Sequence, residues 1–125
     1  MKIRKANGLD GAAIRNLIRL YPGKLIQEHL PRTGEFFVAI EGKKIVGCCA
    51  LAVYSKRLAE IRSLAVDPNF QGKGIGRALV DACMKEAKRR KVYEVLSVTG
   101  AKELFEKHGF NTFNQEKYAM IRVLG

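Results

Sequence analysis

The sequence predicts an α/β fold, a mixed and mostly antiparallel central sheet of six to seven strands with about four helices on its faces. Three observations predict it. Two apolar runs flank the turn Glu41-Gly42-Lys43-Lys44 as hairpin partners, and a third follows soon after. From Ile75 onward, apolar residues recur every four positions, the spacing of a long amphipathic helix. A further strand-length run follows that helix, so a helical crossover joins the third run to the next. The predicted order is β-α-α-β-β-β-α-β-α-β-β, a single domain over residues 1–125 with no internal repeat or linker.

Each element has its own signal. Lys2 to Ala6 alternates as a short strand, and Asp10 stands as the cap of a helix whose Ile14, Leu17, Ile18 and Tyr21 share one face until Pro22-Gly23 stops it. Lys24 to Leu30 reads as a second short helix before the loop that Pro31 opens. Glu35 to Ile40, Ile45 to Val53 and Leu58 to Val66 are the three consecutive strands, the last closed by Asp67-Pro68-Asn69. Ile75, Leu79, Cys83 and Ala87 mark the long helix. Tyr93 to Val98 is strand-like, Ala101 to His108 helical, and Gly109 fits the position just past a helix end. Phe110 to Phe113 with Tyr118 to Leu124 would close a final hairpin.

A chain of 125 residues can bury about two-thirds of its unfolded surface, so this one needs no disulfide or metal staple. With 47% hydrophobic and 28% charged residues it is neither disordered nor membrane-spanning in composition. The Met1 to Gly8 segment is basic but lacks the apolar core of a secretory signal, and the expected location is the cytoplasm. Cys48, Cys49 and Cys83 show no disulfide spacing, and His29 and His108 stand away from them, so no metal is expected. The cysteines and Phe36, Phe37, Phe105, Phe110 and Phe113 read as core. His108 reads as a partner for the end of its helix. The net charge of +11 favours anionic partners generally. Its densest run, Lys85 to Lys91, reads as the solvated end of the long helix.

The chemistry concentrates in Gln71-Gly72-Lys73-Gly74-Ile75-Gly76, between a strand and a helix. Glycines there permit positive φ and bring backbone amides near a ligand, and the free N–H groups of the first helical turn favour an anion. A diphosphate suits such a place; a tight connection without a ligand is the other reading. Spacing excludes two phosphate motifs. A Walker loop would need a glycine where Asp67 stands and a Ser or Thr where Gly74 stands, and a Rossmann fingerprint would need glycine at Arg77.

The stretch Leu64-Ala65-Val66-Asp67-Pro68-Asn69-Phe70-Gln71-Gly72-Lys73-Gly74-Ile75-Gly76-Arg77-Ala78-Leu79-Val80 resembles the acetyl-CoA motif of the GNAT superfamily, whose core is Gln/Arg-x-x-Gly-x-Gly/Ala. Leu104-Phe105-Glu106-Lys107-His108-Gly109-Phe110 is similar to that family's penultimate helix and strand. The resemblance implies an acetyl-CoA-dependent N-acetyltransferase. It places the thioester and pantetheine against the backbone of Leu64, Ala65 and Val66 at a bulged strand end, and the pyrophosphate on Gln71, Gly72, Lys73, Gly74, Ile75, Gly76 and Arg77.

An attacking ammonium must lose a proton, and Glu60, an acid within a central strand, is the expected general base. The alternative is that Glu60 pairs with Arg62, two residues on and on the same face. Within the superfamily, Tyr21-Pro22-Gly23-Lys24-Leu25, Glu35 to Ala39, Val46 to Leu51 and Glu60 to Val66 resemble the acetyltransferase domain of N-acetylglutamate synthases. That likeness implies a small acidic amino acid as acceptor, its carboxylates held by Lys24 and Arg62. Either cation can equally be an ordinary surface or ion-pair residue.

Two places depart from the pattern. Phe105 stands where many family members carry a tyrosine that protonates the departing thiolate, and Met120-Ile121 stand where an Arg-Ser pair would bind the acceptor. Other acceptors, namely a protein N-terminus or a lysine, keep the same chemistry. A non-catalytic CoA-sensing or nucleic-acid-binding module ranks last, because no aromatic and basic stacking platform is present. The expected partner is a small-molecule amine, with no membrane and no nucleic acid, and a homodimer is left open.

Overall fold

The computed structural model describes all 125 residues. A five-stranded sheet runs β1 (Lys2–Lys5), β2 (Phe36–Glu41), β3 (Lys44–Val53), β4 (Leu58–Val66) and β5 (Glu94–Leu96), adjacent in that order. The first three pairings are antiparallel and β4–β5 is parallel. Three helices accompany it: α1 (Gly11–Arg19), α2 (Ile75–Arg89) and α3 (Lys102–Glu106), besides short 3-10 turns. The crossover read from the sequence is therefore present, with α2 joining the parallel neighbours β4 and β5.

Alternation along the strands supplies two cores. On one face, Ile14, Leu17 and Ile18 of α1 pack on Phe36, Val38, Cys48, Ala50 and Ala65. On the other, Ile75, Leu79, Val80, Cys83 and Ala87 of α2 pack on Val46, Cys49, Leu51, Ala59 and Ile61, joined by Phe105 of α3. The four-residue apolar period of α2 thus faces the sheet throughout. Gly47 lets helix and sheet approach, since a Cβ there would lie 3.0 Å from both Ile75 Cγ2 and Leu79 Cδ1.

The β4 strand carries a bulge. Cys48 faces Ala65 but Ala50 faces Arg62, so two residues of β3 span three of β4, and Ser63 absorbs the surplus with φ +57°. Before the bulge Glu60 and Arg62 turn to the α1 face while Ala59 and Ile61 turn to α2; after it Ala65 faces α1. The expected bulged strand end is confirmed in this chain.

Three expectations are corrected. Residues 24–30 form turns instead of a second helix: the Tyr21 carbonyl accepts both the Lys24 and Leu25 N–H groups, and Gln27 Nε2 donates to the Ile18 and Leu25 carbonyls at 2.9 and 3.1 Å. These local bonds replace a helical ladder. Residues 110–113 and 118–124 form no hairpin, which brings the sheet to five strands, as the loss of the helix over 24–30 brings the helices to three. Their aromatic and β-branched residues satisfy β propensity, but a strand needs a paired edge, and Tyr118, Met120, Ile121, Val123 and Leu124 remain 72–91% exposed. Finally, Asp10 holds the N-cap position of α1 but its side chain makes no capping bond to that helix. Arg4 donates to both of its carboxylate oxygens, at 2.7 and 3.1 Å, and the Asn7 N–H donates to it at 2.8 Å, closing a capping box on the preceding 3-10 turn.

Candidate active site

The parallel strands pair only at Leu58–Glu94, Ala59–Val95 and Glu60–Leu96. Beyond Glu60 they part, held by one bond from Ser97 Oγ to the Ile61 carbonyl at 3.4 Å. The bulge at Ser63 turns β4 away from the line of β5, and a cleft of about 700 Å³ opens between them. One wall is β4 from Ile61 to Val66 and the loop from Phe70 to Gly76. The other is Ser97 to Ala101 with Leu104 and Phe105 of α3, and Tyr21, Lys24 and Leu25 form the rim on the α1 side.

The glycine loop has the conformation its composition suggests at two of its three glycines. Gly72 and Gly74 adopt φ +77° and +80°, and nothing lies within 4 Å of a Cβ built on either. Gly76 is already helical. Gly74 occupies the N-cap position of α2 without a side-chain cap. The amides of Ile75, Gly76 and Arg77 accordingly have no partner within the fold, as expected for a first turn. Open backbone, two left-handed glycines and a helix N-terminus fit a pyrophosphate. Asp67 anchors the approach to the loop: its carboxylate accepts from the Asn69 N–H at 2.9 Å and pairs with Lys44 at 3.2 Å. Those contacts, the backbone bond foremost, hold its carboxyl below the usual range.

Most of the residues singled out from the sequence meet here. Leu64, Ala65, Val66, Gln71, Gly72, Gly74, Ile75, Gly76, Lys24 and Arg62 all line the one cleft. Lys73, Arg77 and Glu60 stand outside its lining. Lys73 lies with its ammonium 5.1 Å from the centre of the Phe70 ring, and Arg77 points to solvent from the first turn of α2. Glu60 is half-buried one residue before the lining begins, and it does not pair with Arg62. Its Oε1 accepts the Tyr54 hydroxyl at 2.5 Å. Burial, and then that bond, push the Tyr54 phenol up, while the neighbouring Arg62 opposes the shift.

Arg62 donates to the His29 carbonyl at 3.3 Å, and Lys24 is exposed on the rim. Neither takes part in any ion pair of the fold. Phe105 is buried, 5.1 Å from Phe110 edge to face, and places no hydroxyl in the cleft. Met120 and Ile121 are each 91% exposed and take no part in it. His108 Nδ1 lies 3.0 Å from the Leu104 carbonyl, in its expected place at the end of α3. Cys48, Cys49 and Cys83 are buried, and burial pushes the Cys48 thiol up to about 12.

Tyr21 is the site residue that sequence reasoning missed. Its spacing after Ile14, Leu17 and Ile18 marked it as core, yet its hydroxyl donates to the Val66 carbonyl and accepts from Gln71 Nε2, the latter at 2.7 Å. The signal that could have found it is its position next to Pro22-Gly23, where a helix ends and a side chain can turn toward a neighbouring loop.

Comparison with known proteins agrees with this geometry. Residues 32–112 match the model of the acetyltransferase (GNAT) domain. An uncharacterized N-acetyltransferase of Chlorobaculum tepidum is 34% identical over 122 residues, covering 93% of this chain and 79% of its own. The amino-acid acetyltransferase of Mycobacterium tuberculosis is 38% identical over 116 residues, 86% of this chain and 67% of its own. Among solved structures, a Mycobacterium tuberculosis protein in complex with CoA superposes with a TM-score of 0.83 at 37% identity, covering 89% of this chain and 72% of that one. The N-acetylglutamate synthase of Neisseria gonorrhoeae, complexed with coenzyme A and N-acetyl-glutamate, gives 0.81 at 27% identity, with 94% of this chain matching 30% of that protein. A splayed β4–β5 cleft ending in a glycine loop, together with these matches, makes the chain a member of the GNAT family and an acetyl-CoA-dependent N-acetyltransferase.

Proposed function

We propose that the acceptor is a small acidic amino acid of the glutamate type. One observation carries the reading: Lys24 and Arg62 face the same cleft as the glycine loop, and neither is neutralised by a carboxylate of the protein. Two unpaired cations on the rim of a site are suited to a ligand bearing two carboxylates. The relatives named as an amino-acid acetyltransferase and an N-acetylglutamate synthase support it.

Acetyl-CoA supplies the acetyl group as a thioester. The amides of Ile75, Gly76 and Arg77, with Gly72 and Gly74 giving open access, hold its pyrophosphate, and the backbone of Leu64 and Val66 orients the pantetheine arm along β4. Lys73 and Arg77 add positive charge around the phosphates from outside the cleft lining. Lys24 and Arg62 place the acceptor so that its nitrogen meets the thioester carbon, which converts an encounter into a positioned attack. Glu60, fixed by Tyr54, accepts the ammonium proton through a water molecule, because its carboxylate stands one residue short of the cleft wall. As the new C–N bond forms and the C–S bond breaks, backbone N–H groups at the bulge stabilise the developing oxyanion. With Phe105 in place of a hydroxyl-bearing residue, CoA departs as a thiolate, which its low basicity permits, and the second proton shed by the acetylated nitrogen passes to solvent or to that thiolate.

The test is thiol release from acetyl-CoA with glutamate, aspartate, their amides, and peptides with free N-termini or lysines as acceptors. Release with the free acidic amino acids above all others is the expected outcome. Preference for peptides, or silence across the panel, would overturn the assignment of the acceptor.

A further inference from the structure

Tyr21 joins parts of the molecule that the sequence keeps far apart. It follows directly on α1, and its carbonyl accepts the N–H groups of Lys24 and Leu25 at 3.2 and 2.9 Å. The turn that places Lys24 on the rim is therefore built on this residue. The phenol of Tyr21 reaches across to the end of β4, where it donates to the Val66 carbonyl, and to the glycine loop, where it accepts from Gln71 Nε2 at 2.7 Å. Asp67 donates its N–H to Val46 on the β3 side. By the alternation of a strand, the peptide groups of Val66 therefore point to the opposite edge, toward the cleft.

We propose that Tyr21 is a positioning residue that ties the acceptor rim to the CoA-binding edge, its backbone setting Lys24 and its hydroxyl setting Val66 and Gln71. The inference rests on the reading of residues 64–76 as that edge. A carbonyl oxygen has two lone pairs, so Val66 can accept from Tyr21 and still face a ligand amide. Gln71 is exposed, and its amide is held by the phenol instead of moving freely in solvent. The pair thus orders the start of the loop before the ligand arrives, which lowers the cost of ordering it upon binding.

Y21F keeps the ring and removes both hydroxyl bonds. CoA binding measured by calorimetry should weaken about tenfold, the loss expected for one or two hydrogen bonds. The KM for acetyl-CoA should rise by a similar factor while kcat stays within about twofold, because Tyr21 is not placed at the reacting atoms. Q71A, whose side chain makes no other hydrogen bond, should weaken CoA to a lesser or equal degree. Y21F/Q71A should be no worse than Y21F alone, since both act through one contact. If Y21F fails to fold, Q71A and its kcat-against-KM split carry the test alone. Folded Y21F with unchanged CoA affinity, a selective loss of kcat in either variant, or simple additivity of the two would overturn the role of Tyr21. Absence of CoA binding by the unaltered protein would overturn the reading of the cleft as well, so the two failures are told apart.

Discussion

Replacement of Gly74 by alanine should separate stability from cofactor binding. Gly74 sits at φ +80°, ψ 13° at the start of α2, and a Cβ there has no heavy atom within 4 Å. The folded protein thus meets backbone strain and no clash, about 1–2 kcal/mol for a non-glycine residue in the left-handed region. For a chain of this length that is a loss of roughly 3–10 °C in thermal midpoint. The ligand meets more. The added methyl stands beside the amides of the first turn of α2, and an anion kept from one or two charge-assisted hydrogen bonds, each about 1.5–3 kcal/mol, binds at least tenfold more weakly. Gly47→Ala is the counter-case, because its Cβ would lie 3.0 Å from Ile75 and Leu79 in a packed core. Overpacking there costs about 1–3 kcal/mol and presses on Ile75 from the core side, while the left-handed backbone at Gly72 and Gly74 is untouched. Thermal melts and CoA calorimetry on both variants check the contrast. Gly74→Ala binding CoA like the parent protein, or Gly47→Ala losing more affinity than Gly74→Ala, would refute the placement of the pyrophosphate.

Glu60→Gln should lower kcat about 10²- to 10⁴-fold with CoA affinity and melting temperature nearly unchanged; steady-state kinetics that stay within a few-fold of the parent would exclude Glu60 as the base. Thiol reagents should react with Cys48, Cys49 and Cys83 only after unfolding, since all three are buried and the Cys48 thiol is pushed up to about 12; rapid labelling of the native protein at pH 8 would contradict the packing. Asp10, Asp67 and Glu86 are all held below their usual range by hydrogen bonds and cations. A depressed folded value means stability that is present above the unfolded value, about pH 4, and is lost as pH falls through the folded one. Melting temperature should therefore be insensitive to these groups from pH 7 to 5 and drop below about pH 4, and a midpoint constant down to pH 3 would contradict their role.

What the sequence made legible and what it concealed divide along physical lines. The strands β2 to β4 and helix α2 were readable because period and burial agree: every residue of the Ile75, Leu79, Cys83, Ala87 stripe is buried. The glycine loop was readable because positive φ restricts residue type, and Gly72 and Gly74 both adopt it. Ser63 has the same left-handed backbone without being glycine, so no residue type announced where the bulge lies. The segment after α1 misled because Gln27 satisfies carbonyls that a helix would have used, a side-chain event invisible to periodicity. The C-terminal residues 118–124 misled in the other direction, since a run of β-favouring residues makes a strand only where an edge receives it. Within the site, Lys24 and Arg62 could be brought together from family likeness, but Tyr21 could not, because its two partners lie 45 and 50 residues away. Glu60 was legible as an acid in a strand, whereas its partner Tyr54 was not.

The proposed function directs acetyl transfer in this cleft to an acidic amino acid through Lys24 and Arg62. It is tested most directly by comparing kcat/KM for glutamate with that for glutamine, in the parent protein and in Arg62→Ala. If Lys24 and Arg62 select the acceptor as proposed, the parent prefers glutamate at least tenfold, the worth of one charge-assisted contact, and Arg62→Ala loses most of that preference. Equal use of the two amino acids by the parent protein, or a preference that survives in Arg62→Ala and in Lys24→Ala alike, would contradict it.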